Sequence, residues 1–183
     1  PNNNQDVFSS FFTAANFLSY GSDLRVVRAA NTGTLNATTS GTGVQIKNRL
    51  DYTQNHASGG GSDDFTAKYP GSLGNSIGVS ICDSNTFVGW AYAGNFDSAP
   101  ATSDYASAKD SANDELHIVV FDVTGAVSGT AGTVLEKFAY VSKASDAKNS
   151  DGSTNYYKDA INNRSKYVWW TGHNSEGTNW GTA

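Results

Sequence analysis

Cysteine occurs once in the 183 residues and methionine not at all. The lone thiol, Cys82, excludes an internal disulfide. It stands inside an apolar run, where a free cysteine behaves as a small core side chain. Lysine and arginine total 12 against 17 acidic residues, giving a net charge of −5 and a pI near 5.0. No basic block exists, so the electrostatic footprint of a nucleic-acid binder is missing. The apolar runs are a few residues long, far short of the roughly 20 that cross a bilayer. No charged-then-apolar signal segment opens the chain. The missing initiator methionine, the abrupt start at Pro1-Asn2-Asn3-Asn4 and the stop at Thr182-Ala183 predict a fragment or a processed product.

Aromatic residues, by contrast, are plentiful at 12%, while the hydrophobic share is 38%. That balance points to a folded core with long polar loops, since disordered chains lack aromatics. The length suits one large domain or two small ones.

Hydrophobic spacing organises the chain. Phe8, Phe11, Phe12, Ala15 and Leu18 fall on one helical face, predicting a helix over Asp6–Tyr20 with Asn4 or Asp6 as cap. Gly21 suits the left-handed position past a helix end. "LRVVRAAN" (Leu24–Asn31) is strand-like, so the start reads as a helix–glycine–strand unit. Residues 32–66 are Gly, Ser, Thr and Asn punctuation around "VQIKNRLDY", with room for one short strand and little core. "AKYPGSLGNSIGVSI" (Ala67–Ile81) is a Pro-Gly turn running into a strand. "TFVGWAYAG" (Thr86–Gly94) is a strand or an apolar loop, and the polar run after it is exposed. "ELHIVVFDV" (Glu115–Val123) and "VLEKFAYVS" (Val134–Ser142) form a hairpin, "NYYKDAINN" a short helix and "SKYVWW" (Ser165–Trp170) a last strand. The inventory is α+β: a mixed β-sheet with a few packed helices and long polar loops.

Chemistry is hard to find in these elements. His56, His117 and His173 have no partner at metal-ligand spacing. No G-x-S-x-G elbow marks a serine nucleophile. The acid pairs in "SDD" (Ser62–Asp64) and "NDE" (Asn113–Glu115) fit solvated or capping groups better than a glycosidase pair. "SDAKNSDG" fails the EF-hand pattern, with Lys148 and Asp151 at the third and sixth positions from Asp146. No Walker lysine follows a Gly-rich loop. Sequons at Asn36 and Asn163 matter only in a secreted eukaryotic setting. Trp90, Trp169, Trp170 and Trp180 offer sugar-stacking rings, and adjacent Trp169 and Trp170 point to opposite faces, one toward the core and one toward an interface. No catalytic, metal or cofactor residue is assigned, and no cofactor is expected.

Three blocks in order carry a resemblance. "AKYPGSLGNSIGVSI" resembles the Y-P-G-x-x-G-N-x-I-x-V-x-I signature of contractile phage tail sheath proteins. "FFTAANFLSYGSDLRVVRAAN" resembles the helix–glycine–strand preceding it in sheaths of the T4 type. "LEKFAYVSKASDAKNSDGSTNYYKDAINNRSKYVWW" resembles a later segment of the same family. The matching positions are Tyr69, Pro70, Gly71, Gly74 and Asn75 in the turn, and Glu136, Phe138, Asn155, Tyr156, Ile161, Asn162 and Tyr167 further on. The resemblance implies a structural, non-enzymatic subunit of the virion tail, assembled in the bacterial host cytoplasm. Its implied partners are other copies of the sheath protein in helical hexameric stacks, and the tail tube protein; it implies no nucleic-acid partner and no membrane insertion.

On this reading residues 1–31 are a helix–strand unit leading into the domain. Residues 32–66 are a low-complexity loop or reduced insertion where the family carries an outer domain. Residues 67–183 are the main sheath domain. The terminal arms that add strands to a neighbour's sheet lie outside this chain, so the chain alone is expected to be monomeric or to associate weakly. Two other readings compete with it. One is a secreted or surface carbohydrate-binding module, resting on the Trp and Tyr content. The other is a hydrolase using dispersed acids such as Asp64 and Glu115.

Overall fold

A computed structural model describes residues 5–27, 33–59 and 63–173. The chain divides into two compact units, Pro1–Thr32 and Gly33–Ala183.

The first unit contains helix α1 (Gln5–Leu18). Its aromatic spacing makes Phe8 meet Phe12 at 4.5 Å and Phe11 meet Phe12 at 5.6 Å. These rings nevertheless stay in solvent: Phe8, Phe11, Phe12, Phe17 and Leu18 are 47–67% exposed. Gly21 is not left-handed, contrary to the expectation. Its N–H closes on Phe17 O at 2.8 Å, and a Cβ there would lie 3.2 Å from the Phe17 ring. Leu24–Val27 form no strand either; the rest of that expected strand, from 28 onward, lies outside the described residues, as does Asn4. A strand needs a neighbour for its backbone groups, and no other strand is described in this unit.

The second unit is α+β. Strands β2 (Ile77–Cys82), β3 (Glu115–Asp122) and β4 (Val134–Ser142) form an antiparallel sheet in the order β2-β3-β4. β1 (Phe65–Ala67) and β5 (Val168–Trp170) form a second antiparallel pair, with Phe65 opposite Trp170. A one-turn helix α3 (Asp104–Ser107) precedes β3, and helix α4 (Tyr157–Arg164) packs on both β4 and β5. The core gathers Leu116, Ile118 and Val120 from β3, Phe138 and Val141 from β4, Tyr157 and Ile161 from α4, and Phe65, Val168 and Trp170 from the clasp.

β3 is buried on both faces rather than alternating. The loop 83–100 roofs its second face. Phe96 stacks on His117 at 4.1 Å, Tyr92 meets Phe121 at 5.1 Å, and the Trp90 indole N–H donates to Ser80 Oγ at 2.8 Å. "TFVGWAYAG" is therefore an apolar loop, ending in a short 3-10 turn at Ala93–Asn95. Cys82, opposite His117, is buried as expected.

Residues 33–59 contribute more than punctuation. The stretch expected to hold a strand forms helix α2 (Arg49–Asn55), capped by Asn48, whose side chain accepts from Asp51 N–H at 3.0 Å. Ile46 and Tyr52 bury against Trp169, Tyr52 stacking on it at 4.4 Å. Asn36 is fully buried. Its amide donates to Ala67 O and accepts from Ile46 N–H, both at 2.9 Å, so this sequon is a structural tie. Trp169 and Trp170 do point to opposite sides, but both are buried, in separate clusters. The expectation that one sits at an interface is corrected: the 33–59 segment supplies the wall that covers Trp169. Trp180 lies outside the described residues.

Candidate functional site

Two distant sequence blocks, the Pro-Gly turn and the Ser165–Trp170 strand, are zipped together. β1 leads into the turn and β5 is the strand. Past the paired residues, Lys68 N–H donates to Tyr167 O at 2.7 Å. The Lys68 ammonium donates to Ser165 O, comes within 3.5 Å of Asn162 O, and lies 4.0 Å from the Trp169 ring centre. Burial holds the Lys68 pKa below its ordinary value, while Glu136 nearby works the other way. Asn162 Oδ1 accepts from Trp170 N–H at 3.0 Å, tying the last turn of α4 to β5.

The turn itself follows from its glycines. Gly71 has φ 112°, open to glycine only, and its N–H reaches Leu35 O at 2.9 Å. Gly74 begins no strain but permits contact: a Cβ there would lie 2.9 Å from Ala67 Cβ and 3.0 Å from Ala37 Cβ. Residues Ser72–Ser76 coil into a 3-10 helix before β2. Tyr69 and Asn75 are exposed and Pro70 is half-buried.

Ser76, the last residue of that coil, carries an anchor that sequence reading missed. Its Oγ donates to Asp122 Oδ1 at 2.5 Å. Asp122 is fully buried and also accepts from the N–H groups of Gly125, Val127 and Ser128 and from Ser128 Oγ. Burial works against its charge, but these donors hold the carboxyl well below the usual carboxylate range. One aspartate thus fixes both the turn before β2 and the loop after β3.

A second missed feature is a bulge. Leu116 pairs with Val141 and Ile118 with Phe138, so β4 carries one extra residue, and Tyr140 takes φ 53°. The bulge strips Tyr140 of its ladder partners. His117 Nδ1 accepts its N–H at 3.1 Å, and Asn155 Nδ2 donates to its carbonyl at 2.9 Å. His117 Nε2 lies 2.9 Å from Ser98 O, so that nitrogen carries the proton. Burial pushes the His117 pKa down. Histidine and asparagine here replace the two bonds that the bulge removes.

The other named residues are also placed. Glu136 Oε1 accepts from Lys166 N–H at 2.7 Å, while its Oε2 is buried without a hydrogen bond among the described residues. Phe138 and Ile161 are core, with the Arg164 guanidinium 5.3 Å from the Phe138 ring centre. Tyr156 precedes α4, and Tyr167 packs at the core edge. Glu136, Asn162 and Tyr167 therefore gather around Lys68; Phe138 belongs to the core and Asn155 to the bulge.

Acids from both pairs singled out in the sequence serve the loops around them. Asp63 accepts from Ser40 N–H, Asp114 from Ser103 N–H and Oγ, and Glu115 from Ala101 N–H. These acids fasten loops. No cluster of three His, Cys, Asp or Glu groups fit for a metal ion occurs among the described residues, and no described helix is long and apolar enough to cross a membrane.

What the second unit presents is an α+β fold in which the clasp, the Asp122 anchor and the Tyr140 bulge tie loops to the sheet. No family model matches the chain. Over 132 residues, 72% of its length, it is 36% identical to the tail sheath protein of Salmonella phage ViI. It spans 19% of the length of that relative. The resemblance carried by the motif blocks is thus a relationship to a structural protein of a phage tail, extending over most of this chain.

Proposed function

We propose that the chain is part of a structural subunit of a contractile phage tail sheath. In this role it polymerises with other sheath copies around the tail tube, and shortening of the sheath drives the tube through the host envelope. The observation that carries the reading is the 36% identity to a phage tail sheath protein across most of the chain. The architecture supports it. A contractile lattice needs bodies that keep their shape while contacts between them rearrange. The β1–β5 clasp, the Asp122 anchor and the Tyr140 bulge tie each long loop to the sheet. We assign Tyr69, Pro70, Gly71, Gly74 and Asn75 as the joint leading into β2. Glu136, Phe138, Asn155, Tyr156, Ile161, Asn162 and Tyr167 act as the frame around α4. The reading assigns no enzymatic step and no cofactor.

Antibodies raised against this chain test it by immunogold electron microscopy of the source virions. Label is expected along the whole tail shaft, in both extended and contracted tails. Label on the head, on the baseplate alone, or nowhere on the particle rejects the reading.

A further inference from the structure

Charge in the second unit is sorted along the β3–β4 ribbon. At one end the Arg49 guanidinium donates to Asn163 Oδ1 at 3.2 Å, joining the start of α2 to the end of α4. Lys47, Arg49, Arg164 and Lys166 are all exposed and lie within three residues in sequence of one or other partner of this bond. None of the four has a carboxylate within 4.0 Å among the described residues. Two carboxylates share this end. Glu136 accepts the Lys166 N–H, and Asp51 is held by Lys47 N–H and the Asn55 amide.

The other end is acidic. Asp83, Asp104, Asp110, Asp114, Glu115 and Asp146 lie around the start of β3 and the end of β4, with Lys109 and Lys143. Lys109 is paired with Asp146, and Asp114 is buried in loop bonds. Asp104 and Asp110 remain exposed with no cation within 4.0 Å among the described residues. Glu115 pairs with Ser142 while Val120 pairs with Glu136. Five strand steps, about 17 Å, therefore separate the two ends.

We infer that this chain binds a second copy of itself head to tail, with Lys47, Arg49, Arg164 and Lys166 of one copy seated against Asp104, Asp110 and Glu115 of the next. The argument is charge complementarity between two ends of one rigid body. A contact between different patches is heterologous and repeats, giving an open filament or a ring. The inference draws on the sheath reading only for the expectation that many copies meet. The contact is weak and salt-sensitive, because both faces are solvated.

Sedimentation of the chain across a salt series tests this with two charge-reversed variants, R164E/K166E and D104K/D110K. All four positions are exposed, and circular dichroism checks that both variants fold. The wild-type association constant is expected to fall at least tenfold on going from about 0.05 to 0.5 M salt, as the screening length shrinks below the size of the patches. Each variant alone, having lost the charge contrast between its two ends, is expected to be monomeric. Their equimolar mixture is expected to associate again, because the unchanged acidic end of R164E/K166E meets the unchanged basic end of D104K/D110K. Salt-independent association, variants that associate like the wild type, a mixture that stays monomeric, or duplex DNA binding by a wild type that never self-associates would each overturn the inference. Immunogold label along the tail shaft would survive any of these results, so the two readings fail separately.

Discussion

Helices α1 and α4 reverse the usual relation between composition and burial. α1 has 14 residues with four phenylalanines, and every one of those rings is at least 47% exposed. α4 has eight residues, five of them polar or charged, yet Tyr157, Ala160 and Ile161 are buried. Apolar content creates a demand for a partner surface but does not supply one. α4 meets β4 and β5 within its own unit. α1 has no described sheet in its unit, and a helix of that length is marginal alone in water. Stability should therefore reside in the second unit, and changes to the two helices should differ sharply in effect.

The largest effect is expected at Ile161. Ile161→Ala removes a fully buried side chain from the main cluster and should cost about 2–5 kcal/mol, read as a lowered urea midpoint. An unchanged midpoint would mean that α4 is no better anchored than α1. Next is Gly74→Val, which drives a side chain into Ala67 and Ala37 and should cost about 1–3 kcal/mol through overpacking. Asn155→Ala leaves the Tyr140 carbonyl short of its donor and should cost about 1 kcal/mol, with proteolysis near residue 140 as the local readout.

Acid should act on the second unit as well. The His117 pKa is pushed down by burial, and so is that of His173, whose Nδ1 faces the Tyr157 hydroxyl. A depressed pKa in the folded state means that the unfolded chain takes the proton first. Stability is then full above pH ~6.5 and declines as pH falls through the folded values. His117→Gln should flatten that decline in a pH series of melting temperatures. The smallest effect is expected at Phe11→Ser: the unfolding free energy from a urea titration should change by less than about 0.5 kcal/mol while solubility rises. A larger loss would show that the α1 face is covered in solution.

The sequence disclosed elements with strong local signals. β3 and β4 were legible within a residue, because β-branched runs there are flanked by glycines. α4 was legible from Tyr157 and Ile161 at one-turn spacing. α2 was not, because "VQI" at its front is strand-like and the only contrary signal was Asn48 three residues before Asp51. The motif residues were legible as a group, but the partners that explain them were not. Lys68, Asp122, His117 and Tyr140 act through contacts that local pattern does not encode. A two-against-one bulge has no sequence signature, and a histidine filling it looks like any histidine in a strand.

The β1–β5 clasp also sets an order of events during synthesis. Thr66 and Thr171, which share a hydrogen bond beside it, are 105 residues apart in the chain. Each strand of the clasp has three residues, too few to hold without the surrounding core. The entropy of closing so long a loop must be met before the pairing gives anything back. The β3–β4 hairpin can form while the ribosome is still translating, but the clasp must wait until residue 171 has emerged. Until then Phe65 lacks its cover and the edge of β1 is open. β5 is thus the latch of this unit, and a nascent chain stalled before Val168 should be the species most prone to capture by chaperones or to aggregation.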